Sequence, residues 1–256
     1  MPARANIAAL KSLGVRAVLA FSAVGSLRED MPPGTFALPT QIIDRTRGVR
    51  PASFFDGSVV AHAAFGDPFG GAFVRWLAGP VRHALADEGR GVKLVTDACI
   101  VCMEGPQFST RAESIMYRQW GGDLINMSVV PEAKLAREAE IRCVAVVRCV
   151  TGVMCDGFWW RFSYALIATV TDYDSWRPNS EVVTAAEVFK TLKSNAETSR
   201  HVAATILQEL HEATLQGDIL SEEVGSMRFA IMPQSEHQKQ EDRDKLRYIL
   251  PEYFSD

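Results

Sequence analysis

Residues 103–132, Met-Glu-Gly-Pro-Gln-Phe-Ser-Thr-Arg-Ala-Glu-Ser-Ile-Met-Tyr-Arg-Gln-Trp-Gly-Gly-Asp-Leu-Ile-Asn-Met-Ser-Val-Val-Pro-Glu, decide the fold. They read as strand edge, loop, helix, strand and turn. Arg111 to Trp120 has helical spacing, Leu124 to Met127 is a short strand, and Pro131 starts a further helix. Along that path lie an aromatic ring, several hydroxyls, two acids and a methionine, as around one pocket. Thr171-Asp172-Tyr173-Asp174 follows a further apolar run, Ala165 to Thr169.

Working outward, Ile7, Leu10 and Leu13 share one helical face that Gly14 can close. Val15 to Phe21 is a continuous apolar run, as in a strand covered on both sides. It ends in Ser22-Ala23-Val24-Gly25-Ser26, read as a loop. Such loops beyond strand ends bind ligands in α/β sheets, although small residues also make plain turns. Thr35 to Ile43 and Val92 to Met103 read as strands, and 51–71 as a surface loop. Residues 72–88 read as a helix that Pro80 should bend or interrupt. Ala185, Val188, Leu192, Ala196 and Ser199 share one face of a long helix. The charged tail from Gln234 should fray or form a peripheral helix. The expectation is an α/β protein: a mixed central sheet flanked by helices, in a single domain spanning 1–256, with 234–256 as a peripheral tail.

The chain has 256 residues, 47% hydrophobic and 23% charged, with a net charge of -4. That supports a sizeable core and no broad basic field, which argues against nucleic acid and anionic membrane as partners. Five scattered cysteines suggest a reducing compartment. Cys99 and Cys102 lie in an apolar run with no second ligand pair nearby, so they read as buried or inert rather than as a metal site. A cytoplasmic location follows as the default, with the nucleus also open.

Asp172 and Asp174, at i and i+2, share a face if extended geometry persists, so that one can meet a ligand while the other supports it. A solvated acidic turn is the plain alternative. Glu113 reads equally as an ion-pair partner of Arg111 or Arg118, and Phe108 and Met127 equally as core.

Taken together, 104–113, 126–132 and 171–174 occur in the order that closely resembles the trimeric purine nucleoside phosphorylase family. The resemblance extends over most of 3–143 and 164–215, including Gly25-Ser26-Leu27-Arg28 and Pro51-Ala52-Ser53-Phe54-Phe55-Asp56-Gly57. It implies cleavage of a purine nucleoside by inorganic phosphate, a co-substrate, with no metal or organic cofactor, in a homotrimer whose neighbour helps close the site. It implies that Ser22 and Ala23 contribute to phosphate and sugar binding, that Ser128 contacts phosphate and Met127 the ribose, and that Gly25 and Ser109 are substrate-binding. Phe108 would flank the base, and Asp172 and Asp174 would be catalytic. Relatives using 6-oxopurines have asparagine at Asp172 and glutamate at Ser109, so this pair favours adenine. Ala185 and Val188 match the apolar end of the pocket, which suits a methylthio group. The implied reaction converts methylthioadenosine to adenine and 5-methylthioribose 1-phosphate, in purine and methionine salvage. A 6-oxopurine nucleoside phosphorylase and an inactive nucleoside-binding relative are the alternatives.

Two departures are expected to matter. Met1 falls where the family is already in mid-domain, so the opening strands, a Gly-rich phosphate loop and an Arg-His phosphate pair should be missing. The family also runs directly from the Cys143 position to Tyr164, so 144–163 reads as an insert, with the pattern of a translated intron.

Overall fold

The computed structural model describes residues 2–15, 17–87, 89, 91–141, 164–177, 185–216, 225–235 and 237–254. The insert at 144–163 lies outside the described residues. Five strands are joined side by side: β1 (Val18–Ser26), β2 (Phe36–Arg45), β3 (Leu94–Met103), β4 (Leu124–Asn126) and β5 (Tyr164–Tyr173). They close in the order β1-β4-β3-β2-β5. The pairs β1–β5, β2–β3 and β3–β4 are parallel, whereas β2–β5 and β1–β4 are antiparallel and only two residues long each. Parallel pairing needs crossovers, which is why helices separate most of the strands.

The helices are α1 (Ala3–Ser12), α2 (Gly71–Asp87), α3 (Arg111–Gln119), α4 (Val129–Glu138), α5 (Ala185–Gln216), α6 (Gln240–Arg247) and α7 (Pro251–Phe254). α1 packs on α4, and α2 on α5 and the sheet. Tyr164 to Val170 of β5 is wholly buried, in keeping with its unbroken apolar sequence. Among the described residues no helix is long and apolar enough to cross a membrane.

Three local outcomes differ from the sequence expectation. Ser22 to Ser26 is not a loop, because β1 runs on through Ser26 against β5. α2 continues through Pro80, which is buried. A proline costs a helix interior about 3 kcal/mol, and α2 also buries Phe73, Val74, Leu77, Val81, Ala84 and Leu85. At about 1.5–3 kcal/mol for each large side chain, that burial outweighs the lost bond. The tail forms α6 and α7 and sends Leu246, Ile249, Leu250 and Phe254 into the core. It is tied down further by Asp242, whose carboxylate accepts from the Ser58 amide (2.9 Å) and hydroxyl (2.8 Å). Those two bonds hold its pKa at about 2.

Leu250→Ala should therefore lose about 2–5 kcal/mol in chemical denaturation, the usual cost of truncating a buried leucine. Tyr248→Ala, at an exposed position two residues away, should stay within about 0.5 kcal/mol.

Candidate active site

A cavity of about 410 Å³ opens where β1, β4 and β5 end. Its lining includes Ser22, Ala23 and Gly25 from β1, Phe108, Met127 and Ser128 from the 103–132 stretch, Asp172 and Asp174 from the acidic segment, and Val188 from α5. Residues spread over more than 160 positions of sequence thus meet in one space. Ser109 lies close by but does not line it. Ser109 is buried, 3.6 Å through its hydroxyl from Met103 Sδ, and sits beside the Asp174 carboxyl. The side chain of Ala185 lies outside the described residues.

The acidic end is built by the β1–β5 register. Val24 pairs with Val170, but Gly25 pairs with Asp172, so Thr171 is the extra residue of a bulge. The Thr171 hydroxyl stands 3.2 Å from the Val24 carbonyl and 2.6 Å from Asp172 Oδ1. The Asp174 amide donates to the Ser26 carbonyl (2.9 Å), which also accepts from the Trp176 indole N–H (2.9 Å). Extended pairing thus persists far enough for both carboxyls to face the cavity. Gly25 is required for close approach: a Cβ there would lie 3.0 Å from Ile125 Cγ2 and 3.3 Å from Asp172 Oδ2.

Asp174 is 3% exposed, and its Oδ2 is buried without a hydrogen-bond partner among the described residues. Burial pushes its carboxyl above the usual carboxylate range; the nearby Ser114 and Ser109 hydroxyls and the Ser175 amide offset this only in part. A buried acid held toward its protonated form fits a site that handles protons.

The other end is made of hydroxyls. Ser22 Oγ and Ser128 Oγ are 3.1 Å apart, and Asn126 Nδ2 donates to both, at 3.2 and 3.3 Å. Between the ends, Phe108 is partly exposed and Met127 contributes its thioether. Met127 is fixed from two sides. Gly105, at φ +75°, leaves room where a Cβ would lie 2.5 Å from Met127 Sδ. The Arg50 guanidinium donates to the Met127 carbonyl, to the Met103 carbonyl (3.3 Å) and, through Nε, to Glu104 (2.7 Å). Glu104 also accepts from the Arg47 amide (2.8 Å), and these partners hold its carboxyl below the usual range.

Glu113 takes neither expected ion pair. It closes a capping box on α3, where Thr110 Oγ1 accepts from the Glu113 amide (3.2 Å) and Glu113 accepts from the Thr110 amide (2.9 Å). The motif Thr-Arg-Ala-Glu, 110–113, carries that signal in the sequence. Sequence reasoning also missed Asn126 and Arg50. Asn126 stands directly before Met127-Ser128, and its polar side chain at the end of an apolar strand was the available clue. Arg50 had only a lone charge in a Gly- and Pro-rich loop to mark it. Cys99 and Cys102 are free, and burial raises both thiols, so neither has the character of a reactive thiolate.

The sequence profile of the phosphorylase superfamily matches residues 1–208. The S-methyl-5'-thioadenosine phosphorylase of Coprinopsis cinerea is 57% identical over 275 aligned positions, covering 100% of this chain and 78% of the relative. That of Mycosarcoma maydis is 48% identical, covering 100% and 76%. Among solved structures, a methylthioadenosine phosphorylase from an antarctic soil metagenomic library superposes with a TM-score of 0.77 at 35% identity, over 98% of this chain and 77% of that one. The Schistosoma mansoni methylthioadenosine phosphorylase in complex with adenine gives a TM-score of 0.69 at 25% identity, over 90% and 77%. The chain belongs to the phosphorylase superfamily and, within it, to the S-methyl-5'-thioadenosine phosphorylases.

The raised Asp174 carboxyl sets a stability trend. Its folded pKa lies above its unfolded one, so the cost of burial is absent below the unfolded value and fully present once pH has risen through the folded value. Asp174→Asn should raise the thermal midpoint at neutral pH, and its advantage should disappear on acidification below the usual carboxylate range. Parallel melts across pH check this, and an advantage that persists in acid would refute it.

Proposed function

We propose that the cavity binds S-methyl-5'-thioadenosine and inorganic phosphate and converts them to adenine and 5-methylthioribose 1-phosphate. One observation carries the assignment of its two ends. Ser22 and Gly25 are three residues apart on one strand, about 10 Å when extended. The hydroxyl pair stands at the first and the Asp172 carboxyl at the second, with room for a sugar and base between them. High identity to named relatives over the whole chain supports the substrate.

In this reading a phosphate oxygen forms a bond to the sugar C1' as the bond from C1' to the purine nitrogen breaks. The sugar gains cationic character, and the bonding electrons leave with the purine. Ser22, Ser128 and the Ala23 backbone hold the phosphate, since hydroxyl and amide donors match an oxyanion. Met127 and Gly25 border the sugar, and Phe108 stacks on the base. Asp172 shares a proton with purine N7, which neutralises the leaving group as its charge develops. Burial disfavours the charged form of Asp174 at that end of the cavity. Ser109 acts through Asp174 rather than on the base. Val188 lines the apolar end, where the resemblance also assigns Ala185, and there a methylthio group is at home and a 5'-hydroxyl lacks a partner. The resemblance further supports a cytoplasmic homotrimer, with a neighbouring copy helping to close the site.

Phosphate-dependent release of base from methylthioadenosine and from inosine tests the reading. Methylthioadenosine should be favoured by about 100-fold or more in kcat/KM, the scale on which mismatched polar groups are rejected. Asp172→Asn should lower its turnover by about 100-fold or more and narrow that preference. A preference for inosine would assign the chain to 6-oxopurines. Nucleoside binding indifferent to phosphate, with no base released, would make it a binding protein.

A further inference from the structure

We propose that Asn126 is a positioning residue that turns the Ser22–Ser128 pair into a double hydrogen-bond donor toward an oxyanion. The inference rests on the assignment of that end of the cavity to phosphate. Asn126 is the last residue of β4, paired in register with Cys102 of β3, and is 5% exposed. Its Nδ2 carries two hydrogens and stands within hydrogen-bond distance of both serine oxygens, at 3.2 and 3.3 Å. An amide nitrogen donates only, so both hydroxyl oxygens must accept from it. Each serine proton is then directed elsewhere. Within the protein the choices are the other serine, at 3.1 Å, or the Ala23 carbonyl, at 3.1 Å from Ser22 Oγ. An anion offers both protons a stronger acceptor.

Two further observations bear on this role. Asn126 Oδ1 is buried with no partner among the described residues, and Nδ2 faces the two serine oxygens. Ser128 occupies the N-cap of α4 yet makes no side-chain capping bond, so its hydroxyl is not committed to the helix. The opposite amide orientation would present Oδ1 to the serines and make them donate to it, leaving a worse anion site. An aspartate is isosteric but accepts only, so it can donate to neither serine and sets a negative charge beside the anion.

Phosphate and nucleoside KM are measured separately for the wild type, Asn126→Asp and Asn126→Ala, alongside calorimetric titration with inorganic phosphate alone. Asn126→Asp should raise the phosphate KM at least tenfold and leave the nucleoside KM within twofold. Its ratio to wild type should fall as pH is lowered, because a protonated carboxyl can again donate. Asn126→Ala should weaken phosphate without that recovery. A phosphate KM within twofold of wild type for Asn126→Asp, or equal rises for both substrates, overturns the inference. If the wild type binds phosphate but turns over no nucleoside, the functional reading fails, while the titration still decides the role of Asn126. Absence of phosphate binding by the wild type defeats the inference as well.

Discussion

The site depends on one constraint, the parallel pairing of β1 with β5 and its one-residue slip after Val24. Side chains alternate along a strand, so a slip changes which residues share a face. Here the slip sets Thr171 aside and puts Asp172 opposite Gly25. The absence of a side chain at residue 25 favours it, since a Cβ would crowd both Ile125 and the Asp172 carboxyl. The antiparallel contact of β1 with β4, at Gly25–Ile125 and Ser26–Leu124, brings Asn126, Met127 and Ser128 alongside. The same few residues of β1 therefore fix the carboxyl end, the hydroxyl end and the distance between them.

The sequence displayed its elements where local chemistry was sufficient. The unbroken apolar run of β5 and the helical face of α1 are local patterns. The two aspartates at i and i+2 share a face because their strand stays extended to Tyr173. Where a partner distant in sequence decides the outcome, local reading fell short. Ser22 to Ser26 looks like a loop by composition and becomes strand because β5 pairs with it from about 147 positions away. The charged tail from Gln234 packs into the core rather than staying peripheral because Ser58 receives Asp242 and the core receives Leu250. Asn126 and Arg50 were missed for the same reason, since their roles lie in contacts with Ser22 and Met127 that no spacing rule encodes.

Buried acids show how function is separated from architecture. Burial raises the carboxyls of Glu132, Glu138 and Asp174 alike. A raised pKa alone therefore identifies no site. Glu138 has both oxygens engaged, by the Ser53 hydroxyl at 2.8 Å and the Phe54 amide at 2.6 Å, which ties the 51–57 loop to α4. Glu132 accepts from the Tyr164 hydroxyl at 3.2 Å. Asp174 differs because one of its oxygens has no partner and its residue borders the cavity.

Unmet hydrogen-bond demand is the more discriminating signal, because a buried polar atom without a partner costs about 1–3 kcal/mol. Evolution tolerates that cost where a ligand or a reaction repays it. Asp174 Oδ2 and Asn126 Oδ1 are both such atoms, and both of their residues line the cavity. Ser114 Oγ stands beside Asp174 and helps to lower its carboxyl, while Thr35 Oγ1 has no such connection to the site. Among the described residues, one such atom thus stands at the carboxyl end of the cavity and one at the hydroxyl end. An unmatched polar atom on the wall of a cavity is open to a ligand, whereas one enclosed by the core is not.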